Sequence, residues 1–500
     1  MSSVAQGVTT VVGGVIGFMV GGPGGALKGA SIGYSAGAYL NGNDSAENSP
    51  TYSLGDISLT RSHRLPVPVV YGEHLVAGNL IYEDVSGEND QLLDAQIAIS
   101  EGPIHDITQI KANDISLNSS QYDIRLGTRD QSDWSQNPGD YYPYTAYVGI
   151  ELDAEEMELS GMPTITSIVK GRKVRLWNGS LWINEYSNNP AWCLLDFLTN
   201  SRYGLGLQDE DIDFDSFISV ANWCDNNNYT LNLVIDSKQS SLDILQMILQ
   251  TFNSFLIYTG GQISLKADTV ENDVTQTFGM DNIIAESFSY EGSKSKDIPN
   301  KITVEYPSPD KNYDMVEAYY SNDRDIQDKG EVVNQSIQLR GVTSIDQAGR
   351  IARMMYNKQY YNRMFCQFSA GIDSIHCEPG DIIEISHELS GWTNKQFRVL
   401  EIREQKDDTM ALTCQEYNAN VYSDKGVVYQ PTTGPTLPNP FDRPPSITDL
   451  SLIEEANVLD DGSWIPKIKM TFQRPKSLHW KYANIYISDD DGASWEKDSK

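Results

Sequence analysis

The residue types that usually carry catalysis are present in this sequence, but their spacing matches none of the common hydrolase, phosphate-binding or metal-binding motifs. The six histidines form neither an H-x-x-x-H nor an H-E-x-x-H pattern, which a zinc hydrolase would need. The chain also has no G-x-x-x-x-G-K-[ST] phosphate loop and no C-x-x-C pair. We therefore predict that the chain is not an enzyme and that it holds no cofactor and no metal.

Acidic residues outnumber all other charged groups, and two alternatives for them need to be weighed. The run D-E-D-I-D-F-D at 209–215 suggests calcium, but it lacks the central glycine and the late glutamate of an EF-hand loop. We interpret it as the polar start of a helix, where acidic side chains are favoured. Two isolated carboxylates that cleave a glycosidic bond leave no sequence signature, so a peptidoglycan hydrolase remains the alternative from the enzyme class.

The charge balance excludes one class of partner. The chain carries 69 acidic and 37 basic residues, a net charge of −32, and would repel a phosphate backbone. We therefore expect no specific nucleic-acid binding. The charge either keeps a large assembly soluble, which is the interpretation we prefer, or lines a channel along which DNA or a polypeptide slides without sticking.

The five cysteines indicate folding in a reducing compartment. They are odd in number and scattered. Cys193 and Cys224 lie among apolar residues, which predicts buried free thiols. The N-terminus lacks the basic region of a secretory signal, so we expect no export by that route.

A periodic glycine segment comes before all of these residues. Between Val11 and Leu40, glycines recur in steps of four, which on a helix forms a groove for a second helix. Pro23 breaks the run, and each half would span about 20–25 Å, short of the roughly 30 Å apolar core of a bilayer. We expect a re-entrant hairpin or a bundle around a symmetry axis, with a resident membrane anchor as the alternative. The glycines are Gly13, Gly17, Gly21, Gly25, Gly29, Gly33 and Gly37.

The secondary structure that must position any functional side chains is most clearly predicted at 188–206. This segment reads N-N-P-A-W-C-L-L-D-F-L-T-N-S-R-Y-G-L-G. Asn189 and Pro190 are typical of a helix start. The segment contains no nucleophile–base pair, so we interpret it as an assembly element. The residues that predict one buried helix face by their spacing are Ala191, Leu194, Leu195 and Leu198.

Before this helix the sequence predicts a β-rich unit. Leu93 to Ser100 alternates between apolar and polar residues, and a strand closing the unit is expected at 165–174. The strand between them has its apolar side at Ile104, Ile107 and Ile110.

After it, the sequence predicts two further helices and a hairpin at 254–267, which together form a small α+β unit. We expect Asp215 to cap the second helix and the third to begin near Ser241. A later helix should begin at Ser344, with Gln347 at capping-box spacing. The strands predicted to follow lie at 364–370, 381–386, 396–401 and 410–416.

The last part of the chain has a different pattern. A linker rich in Pro, Thr and Gly begins at Gly426, and alternation after Pro445 resembles the front of a fibronectin type III sandwich. Such a sandwich needs about 90–100 residues, more than follow Pro445 here. We therefore expect the chain to be the N-terminal part of a longer protein, or the ordered part of it.

Several pieces of the sequence occur in an order that resembles a known family. They are P-V-V-Y-G at 68–72, S-E-G-P-I at 100–104, R-L-G-T at 125–128, V-K-G-R-K-V at 169–174 and the helix segment with its exit. In this order, over about residues 60–420, they resemble the tip attachment protein of lambda-type long-tailed phages, also called the baseplate hub or host-specificity protein. The motif residues are Pro68, Tyr71, Gly72, Pro190, Trp192, Arg202, Tyr203, Gly204 and Gly206.

The resemblance implies a structural hub at the distal tail tip of a virion, assembled in the host cytoplasm. It implies a homotrimer whose two β-rich parts imitate tail-tube subunits. The implied partners are the distal tail protein ring, the tape-measure protein, tail assembly proteins and, through the C-terminal parts, a host surface receptor. We expect the glycine segment to plug the lumen and to contact the host membrane transiently during DNA ejection.

The predicted fold is a multidomain, β-rich α+β protein. Its alternatives in function are a tail-associated peptidoglycan hydrolase and a membrane-anchored surface protein. The predicted parts are a glycine-zipper segment at 1–45, a β-rich hub domain at 51–185, an α+β hub domain at 186–270, a second, tube-like β domain at 271–425, a linker at 426–445 and an incomplete fibronectin-like domain at 446–500.

Overall fold

The computed structural model of this chain describes most of the sequence after residue 65. The glycine segment and the polar stretch that follows it lie outside the described residues, as does most of the predicted linker at 426–445. The described residues are 51, 66–87, 91–113, 115–157, 159, 161–271, 273–292, 298–405, 407–423, 430–431, 447–458, 462–473 and 483–497.

The first β unit consists of two antiparallel sheets that share one core, together with a short first strand that belongs to neither sheet. Its strands are β1 Val69–Tyr71, β2 Glu73–Val76, β3 Asn79–Ser86, β4 Leu92–Glu101, β5 Ile104–Ala112, β6 Ile115–Ser116, β7 Tyr122–Leu126, β8 Thr145–Asp153, β9 Ile165–Trp177 and β10 Trp182–Tyr186. One sheet has the order β3-β4-β8-β7, and the other β10-β9-β5-β6 with β2 also paired to β9. Ile97 and Val148 from the first sheet lie in one cluster with Ile107 and Val169 from the second.

The predicted strand with its apolar side at Ile104, Ile107 and Ile110 is confirmed as β5. These isoleucines recur at every third position, whereas an ideal strand turns every second residue to the same side. Ile104, Ile107 and Ile110 are all buried. The ladder between β5 and β9 shifts register between Thr108 and Lys111. An inserted residue of this kind changes the facing of the residues after it, which turns Ile110 to the core.

The helical part follows directly. Its elements are α1 Pro190–Thr199, α2 Phe214–Asn226, β11 Leu233–Ile235, α3 Ser241–Gln250 and the hairpin of β12 Ser254–Thr259 with β13 Gln262–Ala267. The start of α1 is as predicted, because the Asn189 side chain accepts from the Ala191 N–H and Pro190 is the first helical residue. Strand β11 pairs with β1 and so ties this part to the first β unit.

The predicted cap of α2 at Asp215 is wrong by two residues. Asp213 is the cap, and its side chain accepts from the Ser216 N–H. The backbone N–H of Asp213 donates to the carbonyl of Ile263 on β13 at 3.0 Å. This bond holds Asp213 outside the helix, so the helix begins at Phe214 and Asp215 lies in its first turn.

Residues 274–431 add a second β unit and complete the helical core. The elements are β14 Val274–Phe278, β15 Ser289–Gly292, β16 Lys301–Ser308, β17 Asp314–Ser321, α4 Asp323–Lys329, β18 Asn334–Gln338, α5 Ile345–Tyr361, β19 Met364–Ala370, β20 Ile382–His387, β21 Trp392–Glu404, β22 Met410–Glu416 and β23 Gln430–Pro431. The second β unit is a six-stranded sheet of order β14-β20-β21-β22-β19-β15. The four strands predicted between 364 and 416 are confirmed within it.

The helical core is larger than the predicted α+β unit. Strands β18, β16 and β17 and helix α5 contribute side chains to the same buried cluster as α1, α2 and α3. Val304 of β16 and Ile351 of α5, for example, share that cluster with Leu194 of α1. The shared core therefore crosses the boundary predicted at 270.

The predicted capping box of α5 is wrong. The Ser344 side chain makes no capping hydrogen bond. Gln347 is buried, and its amide donates to the carbonyls of Thr230 at 2.9 Å and Thr251 at 2.7 Å. A buried amide must be satisfied, and here tertiary partners replace the local one.

The described part of the C-terminal region consists of short two-stranded ribbons. The strands are β24 Thr448–Val458, β25 Trp464–Gln473, β26 Tyr486–Ile487 and β27 Glu496–Lys497, with β24 paired to β25 and β26 to β27. Ile468 and Trp464 on β25 are exposed. The fibronectin-like sandwich therefore stays a prediction, whereas the β-rich architecture of the chain is confirmed.

Candidate functional site

The described residues contain no cluster of three or more His, Cys, Asp or Glu side chains that could hold a metal ion. The five cysteines are buried free thiols. His74 is fully buried, and its burial lowers the pKa of the imidazole to about 4. In the same part of the chain no helix is long and apolar enough to cross a membrane.

The structure brings together a buried cluster of polar side chains at the C-terminal end of α1. We call it the Asp196 junction and define it by Tyr71, Arg172, Asp196 and Tyr203, together with the Gly102 carbonyl. These residues come from four of the sequence pieces that carried the resemblance, and they are separated by up to 132 positions in the chain. The pieces are therefore neighbours in space.

Asp196 is the centre of this junction. It lies on the buried side of α1, and the hydroxyl of Tyr71 on β1 donates to its Oδ2 at 2.7 Å. The hydroxyl of Tyr203, in the turn after α1, donates to the same oxygen at 2.6 Å. Arg172 on β9 brings its Nη2 to 3.9 Å from Oδ1. The carboxylate of Asp196 thus links β1 and β9 to α1 and to the turn that follows α1.

Arg172 extends the junction to the turn at 101–103. Its Nη1 donates to the carbonyl of Gly102, and its guanidinium carbon lies 5.2 Å from the ring centre of Tyr203. At the rim, Arg202 pairs with Glu101, with Nε 2.8 Å from Oε2. The turn, the long strand β9 and the helix exit are therefore held together by two arginines.

The electrostatics keep the two phenols as donors. Burial raises the pKa of Tyr71 well above its usual range, and the charge of Asp196 raises it further. The same two causes raise the pKa of Tyr203. Because both hydroxyls stay protonated over the physiological pH range, both remain hydrogen-bond donors to the buried carboxyl group.

Two of the motif glycines are required by the close approach of backbone segments. A Cβ on Gly204 would lie 1.9 Å from the carbonyl oxygen of Phe197. Gly72 has φ +67°, and a Cβ there would lie 2.1 Å from the carbonyl oxygen of Leu231. Any other residue would push the helix exit or β11 away from the junction.

The other predicted motif residues lie around this junction. The Pro68 carbonyl accepts from the Glu101 N–H at 2.7 Å. Trp192 is buried and packs edge-on against Trp182, with ring centres 5.8 Å apart. Pro190 begins α1, and Gly206 has φ +67° in the turn that leaves it. The seven glycines of the glycine segment lie outside the described residues.

Sequence reasoning did not single out Asp196 or Arg172. A signal was present for Asp196, because it is the one charged residue within the apolar helix at 190–199. A charge in a helix that is otherwise buried all round needs partners. Nothing local indicated that the partners would be Tyr71 and Arg172.

A second buried carboxylate ties the helical core to the second β unit. We call it the Asp268 junction, defined by Asp268, Lys358, Arg398 and Tyr422. Lys358 on α5 contacts Oδ2. Arg398 on β21 and the Tyr422 hydroxyl reach Oδ1 at 2.7 and 2.5 Å. Burial by itself would raise the pKa of Asp268, but the charges of Lys358 and Arg398 outweigh it and lower the pKa to about 2.

The chain is similar to proteins of phage tails. Residues 240–402 match the model of a family described as "Putative phage tail protein". The baseplate hub protein pb3 of Escherichia phage T5 is 22% identical over 378 residues, which are 69% of this chain and 39% of that protein. The tip attachment protein J of Escherichia phage SECphi27 is 23% identical over 291 residues, which are 52% of this chain and 24% of that protein. The chain thus spans less than half the length of either relative.

Among solved structures, a chain from the virion of a native gene transfer agent particle has the same fold. The TM-score is 0.57 at 13% identity, and the match covers 86% of this chain and 99% of that chain. Together these comparisons confirm the predicted resemblance to tail-tip and baseplate hub proteins, and they confirm the predicted location of the chain in a virion tail.

Proposed function

We propose that the chain is a structural hub at the distal end of a phage tail tube. The observation that carries this proposal is the Asp196 junction. The sequence pieces that resemble tail-tip proteins meet in a closed polar network that fastens two units, not in an open cleft with a nucleophile. A structural part of a tail must hold its adjoining units in fixed positions.

In this proposal the hub is a homotrimer that closes the tube until DNA is ejected. The two β units, whose cores are separate from the helical core, each stand in for a tube subunit. Three copies then offer six similar faces to a hexameric tube. The partners are the distal tail protein ring, the tape-measure protein and tail assembly proteins.

The charge of −32 suits a wall along which DNA moves without binding. Like charges on wall and cargo oppose adsorption of the phosphate backbone. In this proposal, residues after the linker at 426–445 lead through fibronectin-like modules to a receptor-binding tip. The exposed apolar side chains of β24 and β25, such as Leu452 and Ile468, would be covered by the remaining strands of such a module.

The test of the hub is the mass of the purified chain without detergent. Light scattering should give three times the chain mass of 55.7 kDa, and antibodies against the chain should label virions at the tail tip. A monomer would contradict the trimer. Aggregates that only detergent disperses would also contradict it, and they would favour the membrane-anchored alternative. Clearing of a peptidoglycan gel by the purified chain would favour the hydrolase.

The glycine segment has its own test. We propose that it plugs the lumen and enters the host membrane during ejection. A peptide covering residues 8–42 should bind liposomes and release an enclosed dye. No leakage, together with normal ejection from virions whose hub lacks these residues, would exclude the membrane role and leave the rest of the hub proposal standing.

A further inference from the structure

Two cysteines face each other across neighbouring strands of the second β unit. Cys366 on β19 is the register partner of Cys414 on β22. Register partners of an antiparallel pair point to the same side of the sheet, with Cβ atoms about 4.5–5.5 Å apart. Both side chains are fully buried in the core of this unit, and both are free thiols.

We propose that Cys366 and Cys414 are the site of a cross-strand disulfide that forms after the protein leaves the reducing cytoplasm. This timing rests on the proposed function, in which a hub assembled inside a cell is released within a virion. The bond would join β19 to β22 covalently. It would close a loop that contains β20 and β21, so four of the six strands would be held by one link.

The chemistry needs a low-molecular-weight disulfide as the oxidant. The thiolate of one cysteine attacks a sulfur of the oxidant, which forms a mixed disulfide and expels one small thiolate. The second cysteine then loses its proton and attacks the protein sulfur of that mixed disulfide, which expels the second small thiolate. Two electrons pass from the protein to the oxidant, and the two protons end on the expelled thiolates.

The geometry singles out this pair among the five cysteines. Cys377 shares the core of the second β unit, but its thiol lies 3.4 Å from Oε1 of Gln276 on β14. Cys193 and Cys224 lie on α1 and α2 in the helical core. Cys366 and Cys414 are the two that stand opposite each other in a strand ladder of the described residues.

Burial makes the reaction slow in the closed sheet. It raises the pKa of the Cys414 thiol, as does the hydrogen bond with Cys366, so little thiolate is present near neutral pH. Access requires opening beside β19, whose outer neighbour β15 has only four residues, all of them exposed. We therefore expect oxidation on the timescale of local opening, and faster oxidation in moderate urea.

The experiment uses the full chain, purified reduced and then incubated with oxidised glutathione. Mass spectrometry should show a loss of about 2 Da, and proteolysis should give one linked peptide pair containing Cys366 and Cys414. The oxidised chain should unfold several degrees higher than the reduced chain. Cys366→Ala should abolish both effects, whereas Cys377→Ala should keep both.

Two results would overturn the proposal. One is the absence of this link even after partial unfolding in urea and refolding with the oxidant. The other is a link that involves Cys377 instead. Neither result bears on the trimer measured by light scattering, and a monomer in that measurement would leave the disulfide chemistry intact while removing its proposed timing.

Discussion

The Asp196 and Asp268 junctions each place one buried carboxylate between the helical core and a β unit, but they neutralise it differently. Asp196 is contacted by two phenol hydroxyls, and its arginine stands 3.9 Å away. Asp268 is contacted directly by a lysine and an arginine, with one phenol added. The first link is therefore mainly a set of hydrogen bonds and the second mainly a set of ion pairs.

This difference has a physical consequence. Removing the charge from a carboxylate held by neutral donors leaves groups that need only a new acceptor. Removing it from a carboxylate between two buried cations leaves those charges without their counter-charge, which is far more costly. The second β unit should accordingly depend more on electrostatics than the first.

The largest expected effect is therefore that of Asp268→Asn. Loss of the charge between Lys358 and Arg398 should lower the free energy of unfolding by about 3–5 kcal/mol, measured by urea denaturation. Asp328→Asn is the matched control, because Asp328 is exposed on α4 and its replacement should change stability by less than about 0.5 kcal/mol. Equal effects of the two substitutions would show that the ion pairs do not carry the link.

The loss of stability at low pH should depend on the same junction. We call this part of the curve of unfolding free energy against pH the acid limb. The pKa of Asp268 is about 2 in the folded chain, below the value of about 3.9 for an unfolded aspartate. Its contribution, of about 2–3 kcal/mol, is present above pH 4 and is lost as the pH falls towards 2. The stability of the parent chain minus that of Asp268→Asn should shrink over this window, and a constant difference would contradict the assignment.

Asp196→Asn should have a smaller effect. Both phenols donate to the same carboxylate oxygen, so an amide oxygen in that place still accepts from them, although as a weaker acceptor. The amide N–H groups then take the place of Oδ1 and face the guanidinium of Arg172, so we expect a loss of about 2–3 kcal/mol in the free energy of unfolding. Asp209→Asn is a control in the same region, because Asp209 pairs with Arg175 at 2.8 Å but is exposed, and such pairs contribute about 0–1 kcal/mol. A loss as large as that of Asp268→Asn would remove the distinction between the two junctions.

Local signals explain why some elements of the fold, such as the start of α1, could be predicted from the sequence. Asn189 and Pro190 predict the start of α1 because a cap and a first-turn proline act within three residues. The same kind of rule failed at Ser344 and Gln347, where a buried amide finds partners more than 95 residues away. The pairing of β14 with β20 also joins strands over 100 residues apart.

Both junctions join residues that lie far apart in the sequence, and no periodic pattern in the sequence indicates such pairs. Tyr71 and Asp196 are 125 residues apart, and Arg398 and Asp268 are 130 apart. The ordered series of motif pieces located the Asp196 junction without identifying its chemistry, because Tyr71 and Tyr203 belong to those pieces. Asp268 lies in no motif and was not predicted as a site.

The smallest expected effect is on the alkaline limb of the stability curve, to which the phenols of the Asp196 junction contribute. Tyr71 and Tyr203 have raised pKa values in the folded chain, whereas an unfolded tyrosine titrates near 10. Their contribution is complete below pH 10 and is lost as the pH rises, by about 1.4 kcal/mol for each phenol at pH 11. Tyr71→Phe and Tyr203→Phe should each flatten this limb, as measured by urea denaturation between pH 8 and 11. An alkaline limb that stayed as steep in both variants as in the parent chain would contradict the assignment of this loss to the two phenols.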